Sequence, residues 1–452
     1  MKLKSKQTFA IVAGHLFEHY DICLYGFFAV ILAPVFFPPS SVYAAQIASF
    51  GAFAAGFLMR PLGGFIFGNI GDRYGRKKAL LVSISLAALP TLLIGLLPTY
   101  DSIGLAAPIL LVIFRLLQGV SIGGEYSGAI IYIFEHSQQK QPVLKAGLLL
   151  ASGYVGAGIG TIVGMLCTSS FMPSWGWRIP FILGGVMGMA IYWMRRGMQE
   201  TPEFKAISDL NLPTKHPLNH VFALNKKEFF CCIIFASTMV PFYLAVVYIN
   251  AWLTELGLTR SEILLDNMVI IFSSGLLIPL MGSLADRFGS LKFITFGFLI
   301  FALFSVPVFI SLTSNPSWQK CLILQTFLIL PHVCILAPLT SFLPTLFPVA
   351  HRYTGISVSY TLGQAIFGGL TPLLAALLTS STGQRWAPSL LLCGASILFL
   401  ICLRLCQKPR LSASPSTLNS DDGLIFSTLP LPPSLNKATM ARVKDIRSSG
   451  IN

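Results

Sequence analysis

The stretch Gly68-Asn69-Ile70-Gly71-Asp72-Arg73-Tyr74-Gly75-Arg76-Lys77-Lys78 returns, 214 residues later, as Gly282-Ser283-Leu284-Ala285-Asp286-Arg287-Phe288-Gly289-Ser290-Leu291-Lys292. Five positions are identical at that constant offset. Each copy sits in a short polar break between two long apolar runs, the first after the second run and the other after the eighth. A polar loop repeated at equivalent places in two hydrophobic halves indicates a duplicated helical unit.

Outward from these loops the chain is hydrophobic almost throughout. Of 452 residues, 54% are hydrophobic and 11% are charged, where a soluble domain carries roughly a quarter charged residues. Runs long enough to cross a bilayer, roughly 20 residues each, start near Thr8, Ala44, Ala79, Ala106, Lys145 and Ile179. Six more start near Phe229, Leu265, Phe293, Cys321, Thr354 and Ala387. The expected fold is an all-α membrane protein of twelve transmembrane helices in two pseudo-symmetric six-helix bundles. The expected boundaries are residues 1–198 for the first bundle, 199–227 for a cytoplasmic linker and 228–406 for the second bundle. A Ser- and Pro-rich tail, 407–452, is expected to be disordered.

The net charge of +14 raises the question of a nucleic-acid partner, and its distribution answers it. With the N-terminus inside, 25 of the 31 Lys and Arg fall in inward segments, among them Arg195, Arg196 and Arg352. Four, Arg178, Arg260, Lys320 and Arg385, fall outside, and Arg60 and Arg115 lie within apolar runs. This is the positive-inside bias, and it predicts both termini in the cytoplasm with no nucleic acid involved. Glu18 and Asp21 in the first run argue against a cleavable signal peptide. The nine cysteines form no C-x-x-C pair and read as small buried hydrophobes.

Charge inside a membrane is costly and marks function or pairing. The first half holds Glu18, Asp21, Arg60, Arg115, Glu125 and Glu135; in the second half the clearest ionisable group is His332. His15, Glu18, Asp21 and Tyr25 recur at spacings of three and four and share a helix face. That face is expected to meet a central cavity. Either Glu18 or Asp21 takes up a proton there, or they form buried pairs with Arg60 or Arg115. Arg115 and Glu125 are ten residues apart, about 15 Å along a helix, so each needs a partner elsewhere. An arginine that approaches and leaves a titrating carboxylate shifts its proton affinity, which is a physical route to coupling. Arg60 is suited either to a carboxylate substrate or to neutralising Asp21. Gly156, Gly160 and Gly164 form a close-packing stripe. No nucleotide-binding or hydrolase motif is present, so no enzyme activity, cofactor or metal is expected.

The first loop resembles the signature loop of the major facilitator superfamily, and Arg115-x-x-Gln118-Gly119 is similar to its fourth-helix motif. Further stretches resemble the metabolite:proton symporters of that superfamily, which include proline/betaine, 2-oxoglutarate, citrate and shikimate carriers. They are Glu18-His-Tyr-Asp21 with Tyr25-Gly26, Met59-Arg60-Pro61-Leu-Gly63-Gly64, Gly123-Gly124-Glu125-Tyr126, Trp175-Gly-Trp177-Arg178 and Glu200-Thr-Pro202-Glu-Phe204. The resemblance implies alternating access and proton symport. It implies a gate latch formed by Gly68, Asp72, Arg73, Gly75 and Arg76, with a weaker copy at Asp286 and Arg287, where the basic pair after Gly289 is missing. Proton coupling is expected of Glu18, Asp21, Arg115 and Glu125, and substrate contact of Arg60, Tyr25, Gln118 and Tyr126. The expected partners are a small zwitterionic or carboxylate metabolite, protons and the lipid of a cell inner (plasma) membrane, with a monomeric functional unit. Proline or betaine is favoured, with a dicarboxylate next. A transporter-derived sensor would be expected to have lost these charges, and a passive channel would not need them.

Overall fold

The computed structural model describes residues 5–37, 49, 51–52, 55–137, 141–167, 172–210, 217–314 and 317–407. The segment read as a tail lies outside them from residue 408 onward. Among the described residues the structure is helical with no strands. The first half holds α1 (Ser5–Phe36), α2 (Arg60–Tyr74), α3 (Arg76–Leu96), α4 (Ala106–Ser137), α5 (Pro142–Cys167) and α6 (Arg178–Arg196). Two short helices follow, α7 (Pro202–Asp209) and α8 (Pro217–Leu224). The second half holds α9 (Lys226–Phe235), α10 (Arg260–Phe288), α11 (Ser290–Thr313), α12 (Trp318–Phe342), α13 (Arg352–Gly363), α14 (Thr371–Thr382) and α15 (Ser389–Gln407).

Nine spans among the described residues are long and apolar enough to cross a bilayer, with α13 and α14 forming one of them. The expectation of twelve would add α1, α2 and α6 to these nine; α1 carries Glu18 and Asp21, and α6 is bounded by arginines at both ends. The outer faces are apolar, with Leu58, Val269 and Leu276 more than two-thirds exposed, as lipid-facing surface requires. In the second half, α9 runs through 3-10 and π turns to Glu255, and a second π turn, Gln364–Gly369, joins α13 to α14.

Lipid offers helices little hydrophobic reason to associate, so close contact rests on small residues. A Cβ at Gly63 would lie 1.9 Å from the Val120 carbonyl oxygen, and one at Gly119 would lie 2.0 Å from that of Gly56. Thus α2 and α4 meet backbone to backbone. Gly156 does the same for α5 against the Leu16 carbonyl of α1, at 2.0 Å. The two halves meet along α2 with α13 and along α5 with α10. There Gly68 faces Thr354, and Gly282 faces Val143. Because the atom facing Gly63 is backbone, Gly63→Ala is expected to cost about 1–3 kcal/mol, the usual range for overpacking. The check is the melting midpoint of purified protein; an unchanged midpoint would mean that α2 slides without cost.

Candidate functional site

Four polar clusters occupy the helical bundle. Three lie within the span region and one at the end that carries the repeated loop.

The first stands at the centre, between the halves. His15, Glu18 and His19 of α1 cluster there, with the His15 and His19 rings 4.4 Å apart at their centroids. The Tyr126 ring of α4 lies 5.8 Å from His15 and stacks on Tyr360 of α13 at 5.5 Å. The Tyr126 hydroxyl lies 3.4 Å from Thr340 Oγ1 on α12. Tyr154 and His332 flank Phe242 edgewise and at a tilt. Arg60 sits with its guanidinium 3.7 Å above the Phe57 ring. Its electrostatic neighbours include Tyr243 and Glu18. One cation, one carboxylate and a wall of aromatic rings from both halves thus face one another.

The second cluster lies inside the first bundle. Asp21 Oδ1 accepts from Thr91 Oγ1 at 2.7 Å and from Gln118 Nε2 at 2.9 Å. Gln118 Oε1 in turn accepts from Arg115 Nη1 at 2.7 Å. The Arg115 guanidinium stacks 4.0 Å above the Tyr25 ring. Arg115 therefore reaches Asp21 through an amide rather than by a direct ion pair.

The third is a buried ion pair. Arg195 Nη1 donates to Glu125 Oε2 at 2.7 Å, and Nη2 pairs with Oε1. Ser83 Oγ donates to Glu125 Oε2 at 2.7 Å, and Arg195 also reaches the carbonyls of Leu80 and Ala10. Gly14 makes room, since a Cβ there would overlap the guanidinium at 1.7 Å.

The fourth cluster joins the halves. Asp72 accepts from the backbone N–H of Tyr353 at 3.1 Å and of Thr354 at 2.8 Å, one to each oxygen. It therefore caps the N-terminus of α13, where unsatisfied N–H groups and the helix dipole favour an anion. Its repeat, Asp286, accepts from Val143 N at 3.1 Å and Leu144 N at 2.9 Å, capping α5 in the same way. Gly75 and Gly289, at φ +106° and +104°, make the matching sharp turns between helices. Among the described residues only the first copy is reinforced by arginine. Arg76 reaches Asp72, Glu135 and the Val349 carbonyl, and Arg352 bridges Glu135 and Glu203. The Glu200 carboxylate caps α3 by accepting from the N–H of Arg76 and Lys77.

Burial holds Glu200 above the usual carboxylate range, against the pull of backbone hydrogen bonds and Arg76. Burial also raises Glu203, opposed by Arg352. Separation of the two halves at this end would rehydrate both groups and let their pKa values fall, so the capped form binds protons more tightly. Acidification through the window above the ordinary carboxylate value therefore favours closure, and that contribution fades as pH rises past the raised values. Amide exchange at Tyr353 and Thr354, corrected for intrinsic rates, should show greater protection at acidic pH. A profile flat in pH would sink this assignment.

The expected site residues fall into different clusters. The stripe from His15 to Tyr25 does not face one cavity. His15 and Glu18 stand in the central cluster, while Asp21 and Tyr25 stand in the Arg115 cluster; Asp21 is about 120° around the helix from His15, and Tyr25, on nearly the same side as Glu18, lies about 10 Å further along the axis. Tyr25 and Gln118, expected at the substrate, are held in the Arg115 cluster. Glu125, expected in coupling, is paired with Arg195, which the charge count had placed in a loop. Arg73 and Arg287, expected in the latches, are exposed. They follow an inward Asp by one residue and so point about 100° away. Arg352, Glu135, Glu200 and Glu203 complete the network around Asp72 and Arg76, and no sequence motif marks them for it. The signal available was charge at helix ends, which does not reveal its partner.

The Major Facilitator Superfamily model matches residues 21–272 and 229–449. The proline/betaine transporter of Escherichia coli (strain K12) is 33% identical over 421 residues, covering 88% of this chain and 82% of that protein. The proline/betaine transporter of Salmonella typhimurium (strain LT2) is 32% identical over the same span and coverage. Among solved structures, the proton:xylose symporter XylE bound to 6-bromo-6-deoxy-D-glucose superposes with a TM-score of 0.68 at 16% identity. It covers 88% of this chain and 94% of that one. A partially occluded inward-open XylE from E. coli gives 0.60 at 15%. The sequence match, the nine spans among the described residues and the paired Asp caps agree, and the chain belongs to the major facilitator superfamily, a multi-pass membrane protein of a transporter family.

Proposed function

We propose that this protein is a secondary transporter that carries a small zwitterion of the proline/betaine type together with protons, and that it is not an enzyme. The observation that carries the substrate class is the central cluster, in which Arg60 interacts with Glu18 and Tyr243 while the rings of Tyr126 and Tyr360 stack across the two halves. A guanidinium takes a carboxylate, and aromatic faces take a quaternary or secondary ammonium by cation–π attraction. The names of the relatives point the same way. A dicarboxylate would ask for a second cation at the centre, whereas Arg195 is engaged by Glu125 and Arg115 is directed to Gln118 and Tyr25. That reading is the less favoured.

Coupling is assigned to the Asp21–Gln118–Arg115 cluster, with Glu18 as the second carboxylate beside the substrate. A proton on Asp21 would remove the charge that Gln118 and Arg115 organise, and a change in that hydrogen-bonded chain is a change in how α1, α3 and α4 pack. The capped end is assigned to the cytoplasm from the positive-inside bias, with both termini there and the protein in the inner membrane as a monomeric unit. The first bundle is taken as 1–198, the linker as 199–227 and the second bundle as 228–406. In this conformation Asp72, Asp286 and the arginine network close the cytoplasmic side, and transport requires them to let go.

The test is purified protein in liposomes with an imposed pH gradient, offered labelled proline, betaine, 2-oxoglutarate and citrate in turn. Proline or betaine should accumulate and leak away on adding a protonophore. Accumulation of a dicarboxylate alone would overturn the substrate assignment, and binding without accumulation would make the protein a sensor.

A further inference from the structure

We propose that His15, Glu18 and His19 form a binding site for one divalent first-row transition ion of the Zn²⁺ or Ni²⁺ class. The spacing His-x-x-Glu-His places two imidazoles and a carboxylate on adjoining positions of one helical turn. In the structure one ligand atom from each residue lies within 4.8 Å of the other two. Around a tetrahedral ion with bonds of about 2.0–2.1 Å, ligand atoms stand roughly 3.4 Å apart. Small side-chain rotations on a single helix close that difference.

Three independent features prepare these groups for an ion. The first is unsatisfied polar atoms: both ring nitrogens of His15, one of which carries a lone pair, and Oε2 of Glu18 are buried without a hydrogen-bond partner. His15 Nδ1 and Glu18 Oε2 stand 3.5 Å apart, and a shared cation satisfies both. The second is a set tautomer. His19 Nδ1 lies 3.1 Å from the His15 carbonyl oxygen. A carbonyl can only accept, so Nδ1 carries the hydrogen and Nε2 keeps its lone pair. A backbone carbonyl holding the far nitrogen is the usual outer support of a metal-binding imidazole. The third is room, because a Cβ at Gly153 would come within 2.9 Å of the His19 ring; the facing helix is cut back to glycine there.

The donor set selects the ion. Two imidazoles and one carboxylate suit Zn²⁺, Ni²⁺ or Co²⁺ and do not suit Ca²⁺ or Mg²⁺, which want oxygen. Three protein ligands leave a coordination position for water or for a bound small molecule. The neighbouring cations set the affinity. Arg195 is neutralised by Glu125, while Arg60 acts on both Glu18 and His19. Its charge opposes a second cation until an anion covers it, so a carboxylate ligand seated at Arg60 should strengthen ion binding.

The experiment uses full-length protein, free of any histidine tag, in detergent or nanodiscs. Zn²⁺ binding is read by competition with a chromophoric chelator and the site's geometry by the visible absorption of Co²⁺. One ion per chain is expected. His15→Ala and His19→Gln should each weaken binding by about 10–100-fold or more, and Glu18→Gln should change the Co²⁺ spectrum. His220→Ala and Cys231→Ser, which remove a histidine of α8 and a thiol of α9, should bind as the parent does. A melting curve for each variant identifies any that fail to fold; the remaining variants then decide. Absence of stoichiometric binding in the parent protein overturns the proposal. So does parent-like binding in the folded His15 and His19 variants, or loss confined to Cys231→Ser. The readout is binding alone, so it stands whether or not proline or betaine is transported.

Discussion

Arg195→Leu, made alone, is expected to destabilise the protein by about 3–5 kcal/mol, the usual cost of leaving one member of a buried ion pair without its partner. Glu125 would be left with Ser83 as its remaining hydrogen-bond donor, at a site where Arg195 is fully buried and Glu125 2% exposed. The expected result is loss of folded protein in detergent at ordinary temperature. The double variant Glu125→Leu/Arg195→Leu removes both charges, and replacing a buried pair by apolar groups is often neutral or better. It should regain most of the lost stability. The same double variant decides what Glu125 does. If the pair only fastens α4 to α6, the folded double variant retains gradient-driven uptake. If uptake disappears while the melting midpoint recovers, Glu125 carries protons and the structural assignment falls.

Arg115→Ala is expected to abolish uphill accumulation while leaving passive exchange of substrate across the membrane. Each imposed pH unit is worth about 1.36 kcal/mol per proton, or about tenfold accumulation for a carrier moving one proton. That ratio should fall to one. The reason lies in the chain from Arg115 Nη1 through the Gln118 amide to Asp21 Oδ1. Without the guanidinium, Gln118 Oε1 loses its donor and the amide no longer needs to present Nε2 to Asp21. Asp21→Asn should blunt the pH dependence of uptake in the same assay. Gln118→Ala is the sharper control, because it cuts the chain and keeps both charges. Counterflow preserved with accumulation lost identifies coupling, whereas loss of both identifies a folding or substrate defect. Unchanged uphill uptake in Arg115→Ala would remove it from coupling altogether.

These two arginines also measure how far the chain could be understood before it was folded. Arg115 lies deep in an apolar run, so its cost was visible in the sequence and a functional or paired role followed. Arg195 lies one residue before Arg196 at the edge of a run, and nothing local separates them. In the structure Arg196 is exposed while Arg195 is fully buried. Adjacent helical residues point about 100° apart, and which of two faces the bundle depends on how α6 is rotated against α1, α3 and α4. The latch shows the same division. The repeated Asp and Gly were legible as a pair, but their receptors, the N-termini of α13 and α5, share no motif. A backbone N–H cap asks nothing of the capped side chain, so Tyr353 and Thr354 carry no trace of it.

Hydropathy, helical period and internal repetition are local properties, and they determined the twelve-span class, the duplicated architecture and the concentration of buried charge in the first half. Partner choice is different. In a low-dielectric bundle each charge must find compensation, yet the sequence offers more possible pairs than the bundle can hold. Glycine contacts such as Gly63 with Val120 and Gly156 with Leu16 set which helices touch and at what rotation. Only that packing decided that Glu125 meets Arg195, that Asp21 is reached through Gln118, and that His15, Glu18 and His19 are left facing one another at the centre.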